Sequence, residues 1–128
     1  MAWIDLVTLL ALIEYFVFAS AVGSARQRYG IKAPAIAGND VFERYFRVHQ
    51  NTLELLIAFI PALWMAGHYW NPVWVAAIGA VYLVGRVLYF QAYVRDPSKR
   101  SLGYSVSVLP VGVLAIAALI GVVRALIS

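Results

Sequence analysis

Arg44, Arg47, Asn51 and Glu54 follow one another at intervals of three, four and three residues, the repeat of one helix face. Arg86, Tyr89 and Tyr93 repeat the pattern further along, while Arg26 and Arg100 stand near breaks in the apolar sequence. Together these positions supply several guanidinium groups, a carboxylate, an amide and two phenols. Guanidinium groups grip carboxylates through paired hydrogen bonds. A carboxylate such as Glu54 suits an ammonium, and Asn51 suits a peptide-like amide. The set therefore fits a small polyanion that also carries a cationic amine. Taken singly, the residues have plainer readings. Arg28, Lys32, Arg44, Arg95 and Lys99 read as headgroup or topology charges, Tyr89 and Tyr93 as interfacial aromatics, and Glu54 with Arg86 as a bare ion pair.

The elements that must carry these groups are read from hydropathy. The chain has 128 residues, of which 63% are hydrophobic, and a mean hydropathy of +0.81. Soluble domains hold about 45–50% apolar residues, so one small core cannot hide this many. Four apolar runs predict an all-α integral membrane protein, a bundle of four transmembrane helices over about 2–23, 41–67, 72–94 and 102–127, forming a single domain over 1–128. Asp40 with Glu43 three residues on predicts a capping box that opens the second helix near Val41. Asn71 followed by Pro72 opens the third. Pro61 and Pro110 fall inside spans and should bend them. Glu14, midway along the first span, is an intramembrane ionisable group with no partner evident in the sequence. "ASAVGSA" resembles a cleavage site, yet no basic residue precedes the apolar run and several follow it, so the first span is read as an anchor. Cysteine is absent, which removes disulfides, thiolate metal sites and a cysteine nucleophile. No metal site and no nucleic-acid partner is expected.

Charge orients the bundle. Of the ten basic residues, all but Arg124 lie at one end of the spans, and the four tryptophans lean toward the other. The positive-inside rule puts the basic end in the cytoplasm and both termini outside, in the inner membrane of a bacterium or the endoplasmic reticulum of a eukaryote. The polar stripes converge at that basic end. Glutathione, with its paired carboxylates, amine, amides and thiol, has the complementary charge pattern, although other zwitterionic peptides share it.

Three stretches carry a resemblance over nearly the whole chain: "FERYFRVHQNTLELL" from Phe42, "LWMAGHYWNP" from Leu63 and "VYLVGRVLYFQAYVRDPSKRS" from Val81. With the motifs F-E-R-x-x-R-x-x-x-N-x-x-E and R-x-x-Y-F-x-x-Y, the sequence resembles the MAPEG family, the membrane-associated proteins of eicosanoid and glutathione metabolism. It is most similar to the branch of microsomal glutathione transferase type 2 and leukotriene C4 synthase. The resemblance implies a homotrimer that holds glutathione, as co-substrate, between neighbouring subunits near the cytoplasmic face. It assigns glutathione contacts to Arg47, Asn51, Glu54, Arg86, Tyr89 and Tyr93, with Arg26 and His49 contributed by the adjacent subunit. Arg100 matches the arginine that activates the thiol. The chain departs from the pattern at His49, where the family often has glutamine. It departs from leukotriene C4 synthase at Gln27 in place of a second arginine, and at Leu55 in place of a tyrosine.

The resemblance implies a glutathione transferase acting on lipophilic electrophiles, with detoxification as its role, and extends to peroxidase activity toward lipid hydroperoxides. The electrophile would occupy a lipid-facing groove between the first and fourth spans. A non-catalytic lipid-binding member of the same family is the alternative. A small anion transporter fits less well, because no polar track crosses to the far side.

Overall fold

The computed structural model describes residues 1–128. Its four long helices are α1 (Ala2–Tyr29), α2 (Asp40–Tyr69), α3 (Pro72–Arg95) and α4 (Ser101–Ile127), and a 3-10 turn over Pro97–Lys99 links the last two. All four are long and apolar enough to cross a membrane. Only 29 of the 128 residues are buried, so most of the apolar side chains face outward. Leu9, Phe16, Ile57, Trp74, Leu109 and Ile116 are among these exposed apolar residues. That outward-facing arrangement is stable only where the surroundings are themselves apolar.

The helix boundaries differ from the sequence expectation in instructive ways. α1 continues past Gly23 through Arg26 and Arg28 to Tyr29, and stops where Gly30 adopts a left-handed conformation at φ 69°. Gly23 has nothing within 4 Å of where a side chain would begin, so it neither breaks nor tightens the helix. The N-cap of α2 is Asn39, not Asp40. The Asn39 Oδ1 accepts from the amides of Val41 and Phe42 at 2.9 and 3.0 Å. Glu43 reaches back to the amide of Gly38 at 3.3 Å. Two neighbouring residues competed for the same free amides, and Asn39 took them. Asn71 caps α3 as expected, accepting from Val73 N at 2.9 Å, with Pro72 in the first turn. α2 and α4 run on through Pro61 and Pro110 as continuous helices.

The core lies where α1, α2, α3 and α4 meet: Ile4, Val7, Phe59, Leu63, Tyr82 and Leu114 are among its buried members. The rings of Phe59 and Tyr82 stack at 3.8 Å. α3 and α4 approach most closely at two glycines. A side-chain carbon on Gly85 would collide with the backbone of Val106 and Ser107, and one on Gly103 with the backbone of Tyr89. Small residues at a crossing let membrane helices pack backbone to backbone. This crossing sets Ser107 beside Arg86 and Tyr104 near Tyr89.

Candidate functional site

The polar stripe of α2 and the tyrosines of α3 face each other across a cavity of about 460 Å³. Arg47, Asn51, Glu54, Tyr89 and Tyr93 line it, with Glu43, Phe46, Gln50 and the loop residues Ile36 and Ala37 completing the wall. A second cavity, about 260 Å³, adjoins it and shares Glu43, Arg47 and Tyr93. Five of the residues expected from the sequence are thus brought together by the α2–α3 pairing. Helical spacing explains it: each stripe puts its groups on one face, and the two faces meet.

Arg86 stands directly behind this wall and is fully buried. Its Nε donates to Ser107 Oγ at 3.0 Å, and its Nη1 donates to Asn51 Oδ1 at 2.7 Å and Thr52 Oγ1 at 3.2 Å. The guanidinium also lies 4.4 Å from the centre of the Tyr89 ring, a cation–π distance. Ser107 and Thr52 can accept because their own hydroxyls donate to helix carbonyls, those of Gly103 and Val48. The ion pair of Glu54 with Arg86 weighed from the sequence does not form. Arg86 takes neutral partners, and Glu54 is exposed on the cavity side. Because Arg86 occupies the oxygen of Asn51, the amide nitrogen of Asn51 is left as a donor for whatever enters. Asn51 is therefore oriented by a cation on another helix, which suits it to bind a carboxylate or carbonyl oxygen.

The remaining expected residues lie elsewhere on the chain. Arg26 donates to the carbonyl of Ala35 at 2.6 Å, stacks 5.1 Å from the Phe42 ring, and borders a separate cavity beside Gln27 and Lys32. His49 stacks on Tyr15 of α1 at 4.6 Å. Arg100 occupies the N-cap position of α4 and donates to the carbonyl of Pro97 at 2.9 Å, outside the cavity lining. The turn that carries Arg100 is held by Asp96, whose Oδ1 accepts from Ser98 Oγ at 2.7 Å and from Ser98 N at 3.0 Å. These bonds, the hydroxyl first, hold the Asp96 carboxyl below its ordinary range. Arg44, read from the sequence as a topology charge, donates to the carbonyls of Val94 and Arg95 at 3.2 Å each, and so closes the end of α3.

Sequence reasoning missed Thr52, Ser107 and Gln50. Thr52 and Gln50 flank Asn51 in the chain and were within reach of inspection. Ser107 carries no local signal beyond its place four residues after Gly103 on a helix face of small residues.

The profile of the MAPEG family matches residues 4–120. The chain belongs to the MAPEG family. This MAPEG chain is 42% identical over 115 residues to microsomal glutathione S-transferase 2 of Homo sapiens, covering 90% of itself and 76% of that protein. It is also 42% identical over 120 residues to an uncharacterized protein of Synechocystis, covering 94% of itself and 88% of the relative. Against leukotriene C4 synthase of Bos taurus the identity is 36% over 94 residues, 73% of this chain and 63% of that protein. Four apolar helices and MAPEG membership make this a multi-pass integral membrane protein.

Proposed function

We propose that the chain, as a single MAPEG domain over residues 1–128, is a membrane-bound glutathione transferase that joins glutathione to lipophilic electrophiles. The observation that carries this reading is the cavity of Arg47, Asn51, Glu54, Tyr89 and Tyr93 backed by the buried Arg86, in a relative of proteins named as glutathione S-transferases. In this reading Arg47 grips a glutathione carboxylate, Glu54 holds the ammonium, and the Asn51 amide nitrogen donates to a carbonyl or carboxylate oxygen. Tyr89 and Tyr93 border the opposite wall. Arg26 and His49 complete the cradle from the adjacent subunit of a homotrimer, consistent with their lying away from the cavity of their own chain.

Arg100 is the residue we assign to the thiol. A fixed cation lowers a thiol pKa from about 8.5 toward neutrality, and the thiolate is the nucleophile. The thiol proton passes to solvent. The sulfur lone pair then forms the new carbon–sulfur bond while the electrophile's leaving group departs with its electron pair, or its strained ring opens. With a lipid hydroperoxide the thiolate would take the terminal oxygen, and a second glutathione would complete the disulfide, giving alcohol and water. The basic end faces the cytoplasm in this reading and both termini face outward.

The decisive experiment is calorimetric titration of glutathione into detergent-solubilised protein, paired with conjugation of a chromogenic aryl halide. Binding with turnover supports a transferase. A second reading, a non-catalytic lipid-binding protein, draws on one observation: Arg100 is bonded to the Pro97 carbonyl, outside the cavity. Binding of lipid without any turnover would favour it, and absence of glutathione binding would overturn the main proposal.

A further inference from the structure

Arg86 lies about 14 Å along α3 from its Arg95 end, and Glu14 about 18 Å along α1 from its Ala2 end, by helical rise. Both are therefore far from either headgroup region, where ionised groups are costly unless they meet one another or line a polar space. Arg86 satisfies Nε and Nη1 with neutral oxygens only, and its buried Nη2 has no partner. Tyr82, one turn back on α3, is fully buried, and its hydroxyl is likewise unpartnered. Across from them on α1, the half-buried Glu14 has an enclosed Oε1 without a partner. Ala11 and Phe18, one turn to either side of Glu14 on the same face of α1, are buried in the clusters that hold Tyr82 and Tyr89, so Glu14 stands at the level of the α3 turn that carries Tyr82 and Arg86. Glu54, by contrast, is exposed on the cavity side and makes no bond to Arg86.

Buried polar atoms are almost always hydrogen-bonded, to protein or to ordered water. Here one acceptor and two donor groups from α1 and α3 occupy one neighbourhood with no protein partner for any. Nη2 and the tyrosine hydroxyl can donate, the carboxylate can accept, and together they offer the number of polar contacts that a bridging water needs. We propose that Glu14 is the counter-charge of Arg86, and that Glu14, Tyr82 and Arg86 enclose a hydrated polar chamber in the middle of the bundle. Arg86 then has two faces. Its Nη1 holds Asn51 at the ligand cavity, and its Nη2 is held from behind by Glu14 through water. Glu14 acts as a positioning residue: it touches no ligand, and it keeps the guanidinium charged and aimed at Asn51. Losing the carboxylate leaves a buried cation uncompensated, and the guanidinium is free to tilt away from Asn51.

One consequence is independent of any ligand. The other, on affinity, rests on the glutathione reading given above. Thermal unfolding in detergent without glutathione is measured for the parent protein, Glu14→Gln, Arg86→Gln and the double variant. Glu14→Gln is expected to lower the midpoint in the parent. In the Arg86→Gln background the same change should cost nothing or restore stability, since no cation remains to be stranded. Equal and additive losses would overturn the proposal. So would an unmoved midpoint in Glu14→Gln, the behaviour of a carboxyl that is already protonated and carries no counter-charge. If Glu14→Gln does not accumulate as folded protein, the double variant is compared with Arg86→Gln directly. Recovery of folded protein in the double variant supports the pair, and none overturns it.

In the binding experiment, Glu14→Gln should raise the glutathione Kd at least about threefold, the size of a modest coupling between residues. KM for glutathione should rise by a larger factor than kcat falls. Glu14→Asp, which keeps the charge, should recover part of the loss. Parent protein that binds no glutathione would defeat the functional reading while leaving the stability cycle to judge the ion pair.

Discussion

Arg47 and Arg100 carry the same charge and are assigned different work, so each has its own signature. Arg47→Ala and Glu54→Ala should weaken glutathione binding at least tenfold, since losing one partner of a buried charged contact costs about 2–5 kcal/mol and about 1.4 kcal/mol is one decade. Glu54 makes no bond to Arg86, whose partners are Asn51, Thr52 and Ser107, so its removal should leave the bundle intact. Calorimetry with parallel thermal unfolding would separate these effects. Arg100→Ala should instead depress turnover strongly with a smaller change in affinity. Titrating thiolate absorbance near 240 nm should then show the bound thiol ionising no more easily than free glutathione. Wild-type turnover at saturating glutathione in this variant would place the thiol away from Arg100. Asp96 gives the same turn a pH dependence. Its folded pKa is depressed, so its hold on Ser98 is complete above the ordinary carboxylate range and is lost as pH falls through the depressed value. Protection of the Ser98 and Lys99 amides, taken as the ratio of intrinsic to observed exchange rate at each pH, should fall on acidification, and in Asp96→Ala it should be low and independent of pH.

Between helices, the crossing of α3 and α4 is the joint on which the site depends. Gly103→Ala pushes a carbon into the backbone of Tyr89, and overpacking of this kind costs about 1–3 kcal/mol. Because Tyr89 lines the cavity and Ser107 holds Arg86, the variant should lose both thermal stability and glutathione affinity. Gly112→Ala, on the same helix with nothing within 4 Å, should lose neither. The four helices were legible in the sequence because each is a long apolar run with turn residues on either side. The α2 stripe was legible because three-and-four spacing is local information. The cap was misplaced by one residue, since Asn39 and Asp40 carry the same signal and only the path of the loop decides between them. The partners of Arg86 were beyond reach for a different reason. They come from α2 and α4, and the glycine crossing that delivers Ser107 is a contact between distant segments with no periodicity to announce it.

For the assembled protein, we expect three chains by native mass spectrometry in mild detergent, each cavity completed by a neighbour. A mixing experiment addresses the shared site. Arg26→Ala and Arg47→Ala proteins, each assayed at glutathione far below its own Kd where it turns over little, should regain roughly one quarter of the parent's activity when co-assembled at random, because that share of interfaces pairs one intact Arg47 with one intact Arg26. No recovery would mean that both arginines serve the same chain. The absence of cysteine makes single-cysteine variants clean reporters of which termini face outward. The pair of hydrogen bonds made by Arg44 bears on time. Arg44 joins the first turns of α2 to the last carbonyls of α3, and it lies beside Arg47 and Tyr93 where the two adjoining cavities meet. It therefore acts as a clasp between α2 and α3 beside the smaller cavity. A clasp that touches no ligand changes how fast a molecule passes without changing how well it is held. In stopped-flow measurements Arg44→Ala should speed both entry and escape of glutathione by similar factors, so that residence on the enzyme shortens while the equilibrium constant barely moves.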